Sequence, residues 1–285
     1  MAVVISIINN KGGVGKTTTA AIMSELLVFL GKKVLVVDLD QQSNLSMLLG
    51  CYIEDSSDVI NGYELSENEN IAELFKFRYR EKDNVQKLIK ATSVQNLHII
   101  PSSKRHKHTQ RNINANETGN NNIILKKALL AIRNQYDYIL IDNAPASDIL
   151  TVNSMFASDY VITPVRLEGF SYKGLKETLE TILYIKEEHD IEQLNFLGVF
   201  ITQAEIKTNV YKDLSENYSK NLGTAFLKTP IRKDIKVPEI ETDFKPILQH
   251  SPNANVVFDY SKLLLELNIL DYDTEQKLKN AIGEE

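Results

Sequence analysis

A mostly parallel β-sheet covered by helices on both faces, doubly wound, is the fold class this sequence predicts. Three observations predict it. Short apolar runs rich in Val and Ile recur along the chain, longer helix-like stretches separate them, and the runs are almost continuously apolar. Strands that are apolar on both sides need cover on both faces, and helical crossovers between parallel strands supply that cover.

The elements follow in order. Runs at 3–8, 34–37, 97–100, 138–141, 160–165 and 197–201 read as strands. The first long helix is expected over 17–30, where Ile22, Met23, Leu26, Leu27 and Leu30 form one apolar face. Gly31 stands where a helix C′ glycine belongs. Two segments break the rhythm: 55–70 is polar and acidic, and 102–122 is rich in Asn, Lys, Arg and His. Both read as surface loops or insertions within one domain over 1–285, since no composition break divides the chain. The last fifteen residues read as an acidic, solvated helix packed on the body.

Composition narrows the function classes. The chain of 285 residues is 43% hydrophobic and 25% charged, ordinary values for a soluble globular protein. No apolar run approaches the ~18 residues of a membrane span. The N-terminal residues pass directly into a strand-like run, so no signal peptide is expected. The one cysteine, Cys51, excludes an internal disulfide or a cysteine-rich metal cluster, and a cytoplasmic location fits. A net charge of −6 means that any nucleic-acid contact must come from a local basic patch.

The chemistry concentrates directly after the first strand. Residues Asn9-Asn10-Lys11-Gly12-Gly13-Val14-Gly15-Lys16-Thr17-Thr18 lead into the first helix. Strand, glycine-rich loop, Lys-Thr and helix are the phosphate-binding P-loop layout. Glycines let successive backbone N–H groups turn towards phosphate oxygens, and the positive helix end adds to the anion site. Lys16 can reach the β- and γ-phosphates and Thr17 can ligate Mg²⁺. The strict pattern has glycine at position 10, where this chain has Asn. Three strand-end aspartates accompany the loop. Asp38 and Asp40 stand at i and i+2, on one side of an extended chain. Asp142 ends the apolar run at 138–141, the Walker B arrangement in which a carboxylate holds Mg²⁺. Capping of the next helix is the alternative use for Asp38 and Asp40. The five histidines show no ligand spacing except His106 and His108, which read as solvated.

Lys-Gly-Gly-Val-Gly-Lys-Thr-Thr resembles the deviant Walker A signature of the ParA/MinD group of P-loop ATPases. The resemblance implies that Lys11 is the signature lysine that crosses a dimer interface to the partner's nucleotide. It implies ATP and Mg²⁺ as cofactors and an ATPase of low intrinsic rate. Residues 38–42 resemble the family's Asp-x-Asp-Pro-Gln segment, with Gln41 in place of Pro. That mapping makes Asp40 the residue that orients the attacking water and puts Asp38, with Thr17 and Asp142, near the metal. Thr202, Pro230 and Ile231 fall near the strand ends expected to contact adenine.

Residues 92–97, 100–103, Thr163-Pro164-Val165 with Glu168, 230–236 and 246–247 extend the likeness to ParA proteins of the Soj type. That branch implies an ATP-dependent homodimer, non-specific binding to double-stranded DNA over the nucleoid, and a centromere-binding ParB-type partner. Lys207, Lys233 and Lys236 are the candidate DNA contacts, with Lys at 207 and 236 where Arg is more usual. An N-terminal helix-turn-helix extension is not expected, because the loop begins at residue 10. The alternative is a MinD-like or other cargo-positioning ATPase at a membrane or cell pole. Its basic amphipathic tail does not match the acidic residues from Asp271 to Glu284.

Overall fold

The computed structural model describes residues 1–51, 69–75, 82–103, 109, 121–167 and 171–284. His106, His108 and Glu168, and most of the two polar segments, lie outside the described residues. A seven-stranded sheet forms the centre, in the order β3-β4-β2-β5-β1-β6-β7. Its strands are β1 (Val3–Ile7), β2 (Val34–Asp38), β3 (Lys90–Ala91), β4 (Leu97–Ile100), β5 (Tyr138–Asp142), β6 (Tyr160–Arg166) and β7 (Asn195–Thr202). All neighbours run parallel except β3 and β4. The six apolar runs of the sequence are thus the six parallel strands. The antiparallel edge strand β3 has only two residues, too few for any periodic signal.

Alternation along the strands divides the core. Val34, Val36, Tyr138 and Leu140 face one layer, while Leu35, Val37, Ile139 and Ile141 face the other. The first layer holds α1 (Lys16–Phe29), α2 (Asn44–Leu48), α9 (Lys236–Asp243), α10 (Ile247–His250), α11 (Asn255–Glu266) and α12 (Tyr272–Ile282). The second holds α3 (Ile71–Leu74), α4 (Lys82–Leu88), α5 (Ile124–Ile132) and α6 (Ile149–Ala157). The β6–β7 side is covered by α7 (Ser171–Glu188) and α8 (Asn209–Leu222).

Helix α12 is the acidic C-terminal helix. Asp271 caps it by accepting from the Thr274 N–H at 3.0 Å and pairs with Lys32 at 2.5 Å, while Leu278 is buried against the α1 layer. The strand order positions the chemistry. Because β5 lies between β2 and β1, its Asp142 stands level with Asp38 on one side and Ile7 on the other. The phosphate loop and all three aspartates therefore meet at the C-terminal edge of the sheet, where ligands of such sheets bind.

Candidate functional site: a phosphate loop beside three carboxylates

Helix α1 starts without a side-chain cap. Gly15, at φ +85°, makes the turn into it, a conformation that costs a residue with a Cβ strain. The first-turn amides of α1 are left open towards the loop, an arrangement that favours an anion. Lys16 is buried, and its Nζ donates to the Lys11 carbonyl at 2.8 Å. Burial lowers its pKa, with the nearby Asp142 and Asp40 carboxylates opposing that shift.

Asp142 lies beneath the loop. The Thr17 hydroxyl donates to its Oδ2 at 2.7 Å, while its Oδ1 is buried with no hydrogen-bond partner among the described residues. Burial pushes Asp142 well above the usual carboxylate range, and Asp38 reinforces this. An acceptor so placed, beside a threonine hydroxyl at a phosphate loop, suits a hydrated Mg²⁺. Among the described residues no cluster of three or more His, Cys, Asp or Glu side chains forms a metal site by itself. Such an ion would share its coordination with phosphates and water.

Of the three residues expected at the metal, Asp38 stands apart. Its Oδ1 accepts from the Asp40 N–H at 3.0 Å, and its Oδ2 from the Ser46 N–H at 2.9 Å and hydroxyl at 2.7 Å. Burial pushes it up to about 7. Asp38 thus lies behind Asp40 and shapes the β2–α2 turn, and the Ser46 hydroxyl in turn accepts from the Ser102 N–H at 2.8 Å. Asp40 accepts from the Gln42 N–H at 2.9 Å and faces the ligand space.

A cavity of about 770 Å³ opens over the loop. Among the expected residues Gly12, Gly13, Gly15, Lys16, Thr17, Thr18, Asp40, Thr202, Ile231 and Lys233 line it, whereas Lys11, Val14 and Pro230 do not. Thr202 also supports the loop, donating to the Val14 carbonyl at 2.9 Å. Lys11 turns away from the cavity and lies against Gly174 of α7. Among the lining residues that sequence reading missed are Gln203 and Glu241. The Gln203 amide reaches the Gly13 carbonyl at 3.2 Å, and Thr18 donates to Glu241 at 3.2 Å. No local pattern marks either.

The candidate DNA contacts lie on two neighbouring segments, joined where the Lys233 N–H donates to the Ala204 carbonyl at 3.1 Å. Lys207 is exposed in the β7–α8 connection. Lys233 pairs with Glu205 at 3.0 Å, and Lys236 with Glu239 at 2.7 Å. No helix among the described residues is long and apolar enough to cross a membrane.

The AAA domain model matches residues 2–196. The sporulation initiation inhibitor protein Soj of Bacillus subtilis is 32% identical over 265 residues, covering 92% of this chain and 98% of Soj. The chain belongs to the ParA/Soj family of partition ATPases. Among solved structures, a putative plasmid partition protein of Borrelia burgdorferi bound to AMPPNP is 26% identical, with a TM-score of 0.73 over 93% of this chain and 98% of that one. Cobyrinic acid a,c-diamide synthase of Mycobacterium smegmatis, bound to an ATP analogue and magnesium, is 25% identical, with a TM-score of 0.70 over 82% and 88%.

Proposed function

We propose that this protein is a Mg²⁺-dependent ATPase that partitions DNA, acting as an ATP-dependent homodimer on non-specific double-stranded DNA. A centromere-binding ParB-type partner stimulates hydrolysis and releases it. The observation that carries the catalytic part is the meeting of Thr17 with Asp142, one carboxylate oxygen of which is buried without a partner among the described residues, beside a first turn of α1 that takes no side-chain cap.

In this reading the open amides and Lys16 bind the phosphates, and Asp40 orients the attacking water. Thr17 and Asp142 would hold the metal, with Asp38 fixing Asp40 from behind. Bound Mg²⁺ supplies charge neutralisation to the phosphate oxygens. Lys11 supplies the contact to the second nucleotide of the dimer. Phosphoryl transfer depends on positioning and charge, so no covalent nucleophile is required. The loop has no built-in arginine, which agrees with slow turnover until a partner arrives.

Sedimentation with non-specific DNA under ATP, ADP and no nucleotide tests the reading, with liposomes in parallel. Pelleting with DNA only under ATP is expected, together with loss of nucleotide binding in Lys16→Ala. Pelleting with liposomes instead would transfer the protein to the membrane-acting branch. Retained ATP binding in Lys16→Ala would remove the phosphate-loop assignment itself.

A further inference from the structure

The first three residues of the phosphate loop hold no glycine. Asn9, Asn10 and Lys11 all carry full side chains, and their anchors come mostly from one helix. Thr178 of α7 is fully buried. Its hydroxyl oxygen accepts from the Asn10 N–H at 3.3 Å and lies 3.3 Å from Asn9 Oδ1 and 3.0 Å from the Gly174 carbonyl. Its single proton serves one of those two acceptors at a time. Thr181 accepts from the Asn10 side-chain amide at 3.4 Å. Gly174 lies under the aliphatic end of Lys11, where an added methyl would come within 2.5 Å of Lys11 Cε.

Residues 174, 178 and 181 are spaced i, i+4, i+7, so they form one face of the helix. Asn9 completes the anchoring. Its amide donates to the Pro164 carbonyl at 2.7 Å, and its Oδ1 accepts from the Lys11 N–H at 2.8 Å. The Lys11 carbonyl then receives Lys16 Nζ at 2.8 Å. A continuous chain of contacts thus runs from α7 through the loop to the ammonium beside Asp142.

We propose that the α7 face made by Gly174, Thr178 and Thr181 positions the phosphate loop, with Thr178 as the residue that sets where Lys11 and Lys16 stand. Asn10 fits this role: at a position where the pattern has glycine, its backbone and side chain both bond to α7. The consequence for ATP rests on the ATPase reading above. The positioning itself is a property of the nucleotide-free protein.

Amide hydrogen exchange over residues 9–12, without nucleotide, is the primary test. Thr178→Val keeps the shape and removes the hydroxyl, and exchange there should speed up about tenfold, the scale of one lost buried hydrogen bond. Thr178→Ser should restore the wild-type rate. ATP affinity should fall about as much in Thr178→Val and recover in Thr178→Ser. Gly174→Ala is the second variant, should Thr178→Val fold poorly. It displaces Lys11, so exchange at 9–12 should rise, and the rise should vanish in a Lys11→Ala background. Unchanged exchange in both variants would overturn the proposal, as would faster exchange with unaltered ATP affinity. A wild type that binds no ATP would overturn the ATPase reading instead, leaving exchange to decide the role of α7.

Discussion

Asp142 ends β5 with one oxygen on Thr17 and the other buried without a partner among the described residues. Its folded pKa is raised, so the nucleotide-free protein loses stability as pH rises from the ordinary carboxylate range through that raised value. Asp142→Asn removes this cost and the metal-holding charge together. At pH 8, without Mg²⁺, the variant is expected to melt a few degrees higher than wild type. Its Mg²⁺-dependent ATP binding should be weaker by about tenfold or more. Calorimetry and nucleotide titration check the two halves, and a lower melting temperature would contradict the first. Asp40 is placed differently: it faces the cavity and, among the described residues, bonds within its own turn. Asp40→Ala should keep ATP binding and lose turnover by about a hundredfold or more. Wild-type phosphate release from that variant would take Asp40 out of the mechanism.

Among the helices, α10 owes its start to a residue far away in sequence. Glu25 of α1 is buried and accepts from the Ile247 N–H at 3.2 Å and the Leu248 N–H at 2.9 Å. Those amides open α10, so a carboxylate from another helix serves as its cap. Burial nevertheless pushes Glu25 up to about 7, the two amides opposing the shift only in part. The folded state therefore holds this proton more tightly than the unfolded chain. The stability it contributes is complete below the ordinary glutamate range and is lost as pH rises through about 7. Glu25→Gln cannot titrate. Between pH 4.5 and pH 8 the stability difference should move in the variant's favour by roughly 3 kcal/mol. Urea unfolding across that range measures it, and a difference independent of pH would show that the Glu25 proton plays no part.

For the whole molecule, charge is the deciding quantity. The net charge of −6 opposes DNA, and Lys233 and Lys236 already face Glu205 and Glu239. Exposed pairs of this kind are weak, on the order of 0–1 kcal/mol, so phosphate can compete for either lysine. Lys207 forms no ion pair among the described residues. Only the field within a Debye length of ~8 Å matters at the contact, so two acidic chains can assemble one basic strip in a dimer. The double substitution Lys207→Glu and Lys236→Glu should abolish ATP-dependent DNA pelleting without weakening ATP binding. Wild-type DNA binding should fall steeply with salt. Equal DNA affinity for the double variant would move the contact elsewhere on the surface.

Periodicity and contiguous motifs made much of this protein legible in one dimension. Six apolar runs became six parallel strands, because a strand buried on both faces writes its burial into consecutive residues. The phosphate loop and the aspartates at 38, 40 and 142 were legible because each occupies the end of such a run. The structure alone decided what those residues meet. It set Asp38 behind Asp40 on Ser46, and brought Gln203 and Glu241 to the loop and Glu25 to α10. It also laid α7 along Asn9, Asn10 and Lys11. Most of these contacts join residues more than 150 positions apart, each supplied by one side chain with no period or spacing of its own. A side chain whose partner is fixed only by how two elements pack leaves no trace in either element's local pattern.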